Sequence, residues 1–251
     1  MAQFWKHVND VIEESGILIE VLDARQVQQS RNIEIEHKVL NSKKILLYVI
    51  NKIDLAKKED IEKYKRILRP SVFISSTQKL GTTILKKKIR ELAKGEHAVV
   101  GVLGYPNVGK SSLINALSGR HAARTSAKSG FTRGMQKVKV DNNIMLLDAP
   151  GVYPYGEKDD YRHAKIAAID ANQLKDPEDI ALHFILEKFD LVTTHYEIPK
   201  EVKVAAKEDP EAILIYLANK NNLFLRGKKP DIVRASIMLV QDWQRGKMNE
   251  C

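Results

Sequence analysis

The stretch Gly104-Tyr105-Pro106-Asn107-Val108-Gly109-Lys110-Ser111 decides the fold, because it fits the pattern G-x-x-x-x-G-K-[ST]. An apolar run over residues 98–103 precedes it, and a helical pattern over 110–117 follows it. In that context, the backbone N–H groups of a glycine-containing loop surround phosphate oxygens at the start of a helix. The stretch therefore predicts a phosphate-binding loop at the carboxyl end of a strand, in a doubly wound, mainly parallel α/β sheet.

A second motif, Asn51-Lys52-Ile53-Asp54, lies upstream of the loop and follows a buried-strand pattern over 44–50. It fits N-K-x-D, which recognises the guanine ring in GTP-binding proteins, but in ordinary GTPases it follows the phosphate loop. Either one match is accidental, or the chain is a circularly permuted GTPase domain. Both motifs lie at the ends of predicted strands, where parallel sheets bind ligands, and this placement favours permutation.

The phosphate loop supplies most of the predicted nucleotide contacts. We expect Asn107, Val108, Gly109 and Ser112 to line the phosphate site, with Lys110 reaching the β- and γ-phosphates as a catalytic group. Ser111 is expected to offer its hydroxyl to Mg²⁺.

Two further segments are expected to reach the γ-phosphate. Asp148-Ala149-Pro150-Gly151 follows a buried-strand pattern and fits D-x-x-G, so Asp148 is predicted to hold Mg²⁺ through water and Gly151 to donate its N–H. Thr132 precedes the predicted strand 135–140 and is our candidate for the switch-I ligand of Mg²⁺ and the γ-phosphate. Thr125 is the competing candidate, and a plain Ser/Thr/Gly loop is the alternative.

The base-binding residues follow from the chemistry of guanine. The Asp54 carboxylate can accept from the ring N1–H and the exocyclic amine, a pair of donors that adenine does not present in that arrangement. We expect Lys52 to lie over the base and Asn51 to tie loops together. Ser76 and Thr77 follow another predicted strand, 71–74, and a backbone N–H there is expected to reach the guanine O6.

Charge and composition narrow the range of partners. The net charge is +9, and residues 1–151 carry 26 basic and 15 acidic residues. Between Arg120 and Lys139 there are six basic residues and no acidic one, which suits RNA, although a solvated lysine-rich surface is the alternative. No apolar run is long enough to span a bilayer, so we expect no membrane partner. The single cysteine, Cys251, suits a reducing cytoplasm, where we expect the protein to act with RNA and not with DNA.

The pattern changes after Tyr153, which predicts two domains. Residues 1–155 are expected to form the GTPase domain, and 156–251 a helical domain for RNA or ribosome binding. The predicted helices of the second domain cover 164–174, 177–189, 210–220 and 231–244.

With these motifs in this order, the chain resembles the circularly permuted GTPases of the YlqF/YawG family. Val21-Leu-Asp-Ala-Arg25 with Ser30-Arg-Asn32 is similar to the family's D-A-R and S-R-N segments, and Asp242-Trp-Gln-Arg-Gly-Lys247 is similar to its helical tail. The resemblance implies a GTPase that binds the large ribosomal subunit and rRNA. It also implies a K⁺ site at Asn107, because Val152 stands where Ras-like enzymes place the glutamine that orients water.

The resulting hypothesis is a monomeric GTPase, slow on its own, that binds GTP, GDP and Mg²⁺ and acts as a switch in large-subunit assembly. Two alternatives remain open at this point. One is an RNA-binding module that depends on guanine nucleotides and hydrolyses little, and the other is a GTPase for a non-ribosomal RNA or protein.

Overall fold

The computed structural model describes residues 2–119, 136–154 and 159–248, which fall into two compact units, one within residues 1–158 and the other within 159–250. The first unit contains a six-stranded sheet in the order β3-β2-β1-β4-β6-β5. All described pairs are parallel except β5 with β6. The strands are β1 (Ile17–Asp23), β2 (Ile45–Asn51), β3 (Ser71–Phe73), β4 (Ala98–Leu103), β5 (Gln136–Lys139) and β6 (Ile144–Asp148).

Helices cover both faces of the sheet. Every residue of the central strand β1 is buried, which requires packing on both of its sides. On one face, Leu18 and Leu22 of β1 share a core with Val8 and Ile35 from the flanking helices. The helices of this unit are α1 (Ala2–Glu14), α2 (Ile33–Asn41), α3 (Lys58–Glu62), α4 (Tyr64–Ile67), α5 (Thr82–Leu92) and α6 (Lys110–Ser118).

The sheet order brings the predicted motifs to one edge. Strands β1, β2, β4 and β6 run parallel, and they end at Asp23, Asn51, Leu103 and Asp148. The D-A-R, N-K-x-D, phosphate-loop and D-x-x-G segments begin at these four carboxyl ends. The predicted doubly wound, mainly parallel sheet is therefore confirmed, and it places the segments on the side where such sheets bind ligands.

The second unit is helical, as its periodicity predicted. Its core contains Phe184, Ile213, Leu239 and Trp243, and the rings of Phe184 and Trp243 lie 5.0 Å apart. The helices are α7 (Asp160–Lys165), α8 (Pro177–Glu187), α9 (Phe189–His195), α10 (Lys200–Glu208), α11 (Glu211–Lys220) and α12 (Ile232–Gln244). The boundary predicted at residue 155 falls in 155–158, which lies outside the described residues.

The helix predictions in this unit were wrong in three places, at residues 164–174, at α9 and at α10. The helix predicted over 164–174 ends at Lys165, and the chain then turns at Ala167, whose φ is 57°. Gln244 stabilises that turn, because its Nε2 donates to the carbonyls of Ala164 and Ile169 at 3.0 and 2.8 Å. Helix α10 was missed, since Ala206 is its one buried residue and the apolar stripe is correspondingly narrow.

No helix within the described ranges is long and apolar enough to cross a membrane.

A buried carboxyl group on β1 generates a prediction about stability. Glu20 is fully buried, and its Oε1 accepts from the Asn32 N–H at 2.7 Å. Burial raises the pKa of Glu20 well above its ordinary value, the Asn32 N–H opposes this, and the carboxylate of Glu36 adds to the rise. The pKa of Glu20 is therefore higher in the folded protein than in the unfolded chain. Its contribution to the free energy of unfolding is fully present below the unfolded-state pKa and is lost as the pH rises through the folded-state pKa.

Glu20→Gln removes the ionisable group and keeps an oxygen acceptor for Asn32. We expect the variant to be more stable than the parent at pH 8 by about 1–3 kcal/mol, with the difference shrinking towards pH 4.5. Urea unfolding at several pH values measures the free energy, and Glu59→Gln on the exposed face of α3 is the control. A variant less stable than the parent at pH 8 contradicts the assignment.

Candidate functional site

The phosphate loop connects β4 to α6, and two of its glycines have backbone conformations that other residues rarely adopt. The φ angles are 134° at Gly104 and 101° at Gly109. A Cβ at position 104 would lie 2.7 Å from the Val21 carbonyl oxygen, and one at 109 would lie 2.3 Å from Asn51 Nδ2. Both positions therefore need glycine, for the dihedral angle and for the close approach of the neighbouring chain.

Lys110 is the first residue of α6, and its side chain is buried against the loop. Its Nζ donates to the carbonyl oxygens of Gly104 and Tyr105 at 3.1 and 2.7 Å. Burial lowers the pKa of Lys110 to about 8, and the Asp148 carboxylate opposes that shift. The ammonium group is thus held by the phosphate loop itself.

Asn51 joins three parts of the chain that are far apart in sequence. Its Nδ2 donates to the Val108 carbonyl in the phosphate loop at 3.0 Å. Its Oδ1 accepts from the Ser76 backbone N–H at 3.1 Å and from the Ser76 hydroxyl at 2.9 Å. The side chain is buried, so these bonds are shielded from water. The base motif, the loop after β3 and the phosphate loop therefore meet at one place, despite their permuted order.

Asp54 and Thr77 lie on two neighbouring loops at this edge. Asp54 belongs to a short 3-10 turn over 53–55, and this turn is tied to the end of β3 by a bond from the Ile53 N–H to the Ile74 carbonyl at 3.2 Å. Thr77 is exposed in the turn that follows, with its Oγ1 3.2 Å from Ser75 Oγ. Asp54 lies three residues after Asn51 in the chain, and Thr77 follows Ser76, which Asn51 contacts.

A buried group of charges supports the base motif, and sequence analysis did not predict it. Asp23 is fully buried and accepts from Arg25 Nη2 and from Lys52 Nζ, each at 2.8 Å. Burial alone would raise the pKa of Asp23, but Arg25 and Lys52 hold it well below its ordinary value. Lys52 Nζ also donates to the Asn107 carbonyl of the phosphate loop at 3.1 Å. The D-A-R segment was the available signal, but which partners meet depends on the packing of β1 beside β2.

Among the predicted magnesium ligands, Asp148 has the chemistry that fits a cation site. Asp148 is buried, and its Oδ1 has no hydrogen-bond partner within the described ranges. Burial raises the pKa of Asp148 to about 6, with Lys110 opposing, so the protein by itself stabilises the charged carboxylate poorly. A hydrated cation would supply the missing partner. Ser111, in the first turn of α6, is the expected direct ligand, and Ser112 follows it there. Thr132 and its competitor Thr125 lie outside the described residues.

The segment after β6 packs closely on the phosphate loop. A Cβ at Gly151 would lie 2.6 Å from the Pro106 N and Cα atoms and 2.9 Å from Lys110 Nζ, so only glycine fits there. Val152 is 3% exposed and belongs to the core, and its carbonyl accepts from Asn32 Nδ2 at 3.4 Å. The residue after D-x-x-G therefore offers a buried apolar side chain and no group that could orient water.

Comparisons with known proteins agree with this geometry. A family model described as "RsgA GTPase" matches residues 23–157, and one described as "50S ribosome-binding GTPase" matches residues 99–220. The fold is also similar to that of a solved structure titled "Crystal structure of GNP-bound YlqF from T. maritima", with a TM-score of 0.68. That likeness covers 98% of this chain and 94% of the other, at 21% identity, and it shows the fold alone.

Two curated relatives are more similar in sequence. An uncharacterized GTP-binding protein of Methanocaldococcus jannaschii is 36% identical over 97% of this chain and 65% of its own length. The GTPase grn1 of Schizosaccharomyces pombe is 32% identical over 97% of this chain and 60% of its own length. The chain thus spans less than two thirds of these relatives. Because the RsgA GTPase model matches more than half of it, the chain belongs to that family of GTPases, and the permuted order of its motifs agrees with the predicted resemblance to the YlqF/YawG GTPases.

Proposed function

We propose that this chain is a switch that binds GTP with Mg²⁺, hydrolyses it to GDP and phosphate, and acts in assembly of the large ribosomal subunit through rRNA. The bonds of Asn51 to both Val108 and Ser76 carry the proposal, because they form a single guanine-nucleotide site from three separate segments. In that site Asp54 selects the base, while Gly109 and Lys110 hold the phosphates.

The described contacts suggest how the nucleotide would control the segment after β6. Gly151 lies against Pro106 and Lys110, so its N–H belongs beside the γ-phosphate position. Ser111 and Asp148 would hold Mg²⁺, which neutralises charge on the phosphates when bound. Loss of the γ-phosphate removes the contact to Gly151, and this releases the segment that leads into the helical unit.

Retained hydrolysis is favoured over a purely nucleotide-dependent RNA-binding module. Lys110, Ser111, Asp148 and Gly151 supply the positions that stabilise a phosphoryl-transfer reaction, and a simple binding module has no need for all of them. Since Val152 is buried, the intrinsic rate is expected to be slow until a partner completes the site.

The ribosomal part of the proposal rests on relatives and on charge. The model matching residues 99–220 is described as a ribosome-binding GTPase of the 50S subunit, which favours this target over a non-ribosomal one. The segment 120–139, with six basic residues and no acidic one, is the proposed RNA contact, together with the helical unit. Residues 120–135 lie outside the described part of the chain.

Potassium is proposed to assist hydrolysis at Asn107. This residue lies in the phosphate loop with a φ of 58°, and its carbonyl accepts from Lys52. A monovalent cation there would stabilise charge that develops between the phosphates, in the manner of an arginine finger. We expect GTP hydrolysis to be about tenfold or more faster in KCl than in NaCl at equal ionic strength. Equal phosphate-release rates in the two salts would remove potassium from the proposal.

Co-sedimentation with large ribosomal subunits tests the whole function. The full chain should pellet with the subunits in the presence of a non-hydrolysable GTP analogue, and about tenfold less with GDP. Asn51→Ala is the matched control, because it removes the side chain that joins the nucleotide segments. It should abolish the difference between the nucleotides. Equal pelleting of the parent chain with analogue and GDP contradicts a nucleotide switch.

A further inference from the structure

The edge of the sheet formed by β3 is strongly basic. Residues 57–94 contain twelve lysines and arginines against four acidic residues, a net charge of +8 in a chain whose total is +9. Lys65, Lys88 and Arg90 lie in ion pairs with acidic residues. The described ion pairs include none of the other nine cations, which are Lys57, Lys58, Lys63, Arg66, Arg69, Lys79, Lys86, Lys87 and Lys94.

A groove runs along this edge. β3 is the terminal strand of the sheet, and it pairs with β2 alone among the described strands. The cavity beside it has a volume of about 640 Å³. It lies between the end of α4 and the first turns of α5. Its main side chains are Lys65, Arg69, Val72, Phe73, Ile84 and Lys88. We call this cavity the β3 groove.

The β3 groove combines an apolar surface with cations around it. Phe73 lines the groove and is half-buried against the core. Lys65 Nζ lies over its ring, 5.7 Å from the centre, so an incoming base would take the place of that ammonium group. Ile84 is 63% exposed beside it. A partly exposed aromatic ring flanked by lysine and arginine is an arrangement that binds single-stranded nucleic acid, because bases stack on the ring and cations contact the phosphates.

We infer that the β3 groove binds single-stranded RNA, with a base against Phe73 and phosphates against Arg69, Lys65 and Lys88. The two lysines would exchange their exposed carboxylate partners, Glu62 and Glu91, for phosphate. The net charge of the surrounding surface favours a polyanion over a polypeptide, whose charge per unit length is lower. The groove is separate from the nucleotide site and from the segment 120–139. The inference therefore does not depend on the large-subunit role, and its failure would leave that role standing.

The test uses the full chain with bound GDP and a fluorescein-labelled RNA of twelve nucleotides with no self-complementarity. Anisotropy titration measures its affinity from 50 to 300 mM KCl. Lys65→Glu with Arg69→Glu should weaken binding at least tenfold at 100 mM KCl and make the salt dependence shallower, since about two phosphate contacts are lost. Lys6→Glu with Lys43→Glu, two exposed cations elsewhere on the same unit, is the matched control and should change affinity less than threefold.

Phe73→Leu separates stacking from charge. It keeps an apolar side chain at the edge of the sheet and should weaken RNA binding about fivefold or more, with the salt dependence unchanged. GDP affinity and thermal unfolding, measured on every variant, confirm that the fold is kept.

Three results overturn the inference. The parent chain fails to bind the RNA, or the groove variant and the control variant lose affinity equally. In the third result, a glutamate-rich peptide of the same length binds the parent chain, and the groove variant loses peptide binding but keeps RNA binding. That last result would assign the groove to an acidic protein segment.

Discussion

The hydrogen bonds of the Asn51 side chain are the constraint on which the site depends. Permutation places the base motif near the start of the chain and the phosphate loop far downstream, so no local sequence contact can hold them together. The parallel sheet aligns the ends of β2 and β4 on either side of β1, and Asn51 then bridges to Val108 and Ser76. Gly109 must lack a Cβ for this bridge to form, because a Cβ there would collide with the Asn51 amide.

Charge burial distinguishes the two sides of the site. Lys110 and Asp148 are both buried. Burial lowers the pKa of Lys110 and raises that of Asp148, so in each case it favours the neutral form. Asp23 differs, because Arg25 and Lys52 compensate its charge and keep it ionised. The base side of the site is therefore built around a satisfied ion cluster, whereas the phosphate side contains groups that phosphate and a cation would satisfy.

The elements that sequence analysis predicted well are those with a strong local signal. The continuous apolar run of β4 and the glycine pattern after it identified strand, loop and helix, and the sheet class followed from the alternation of elements. The interactions of Asp23 with Lys52 and of Asn32 with Val152 were not predicted, because each joins segments whose proximity is created only by the fold. The helix predicted over 164–174 was wrong for the same reason, since Gln244 of a distant helix stabilises the turn that follows α7. The net charge of 57–94 was readable from the sequence, but only the cavity beside β3 shows that cations from α4 and α5 flank one groove.

The central claim is that a base motif near the start of the chain reads the nucleotide held by a phosphate loop downstream. The most direct measurement is calorimetric affinity of Asp54→Asn and the parent chain for GDP and xanthosine diphosphate. The 2-oxo group of xanthine accepts a hydrogen bond from an amide, so the variant should weaken for GDP about ten- to hundredfold and strengthen for xanthosine diphosphate. An unchanged preference for GDP in the folded variant would contradict the account, because Asp54 would then lie outside the base site.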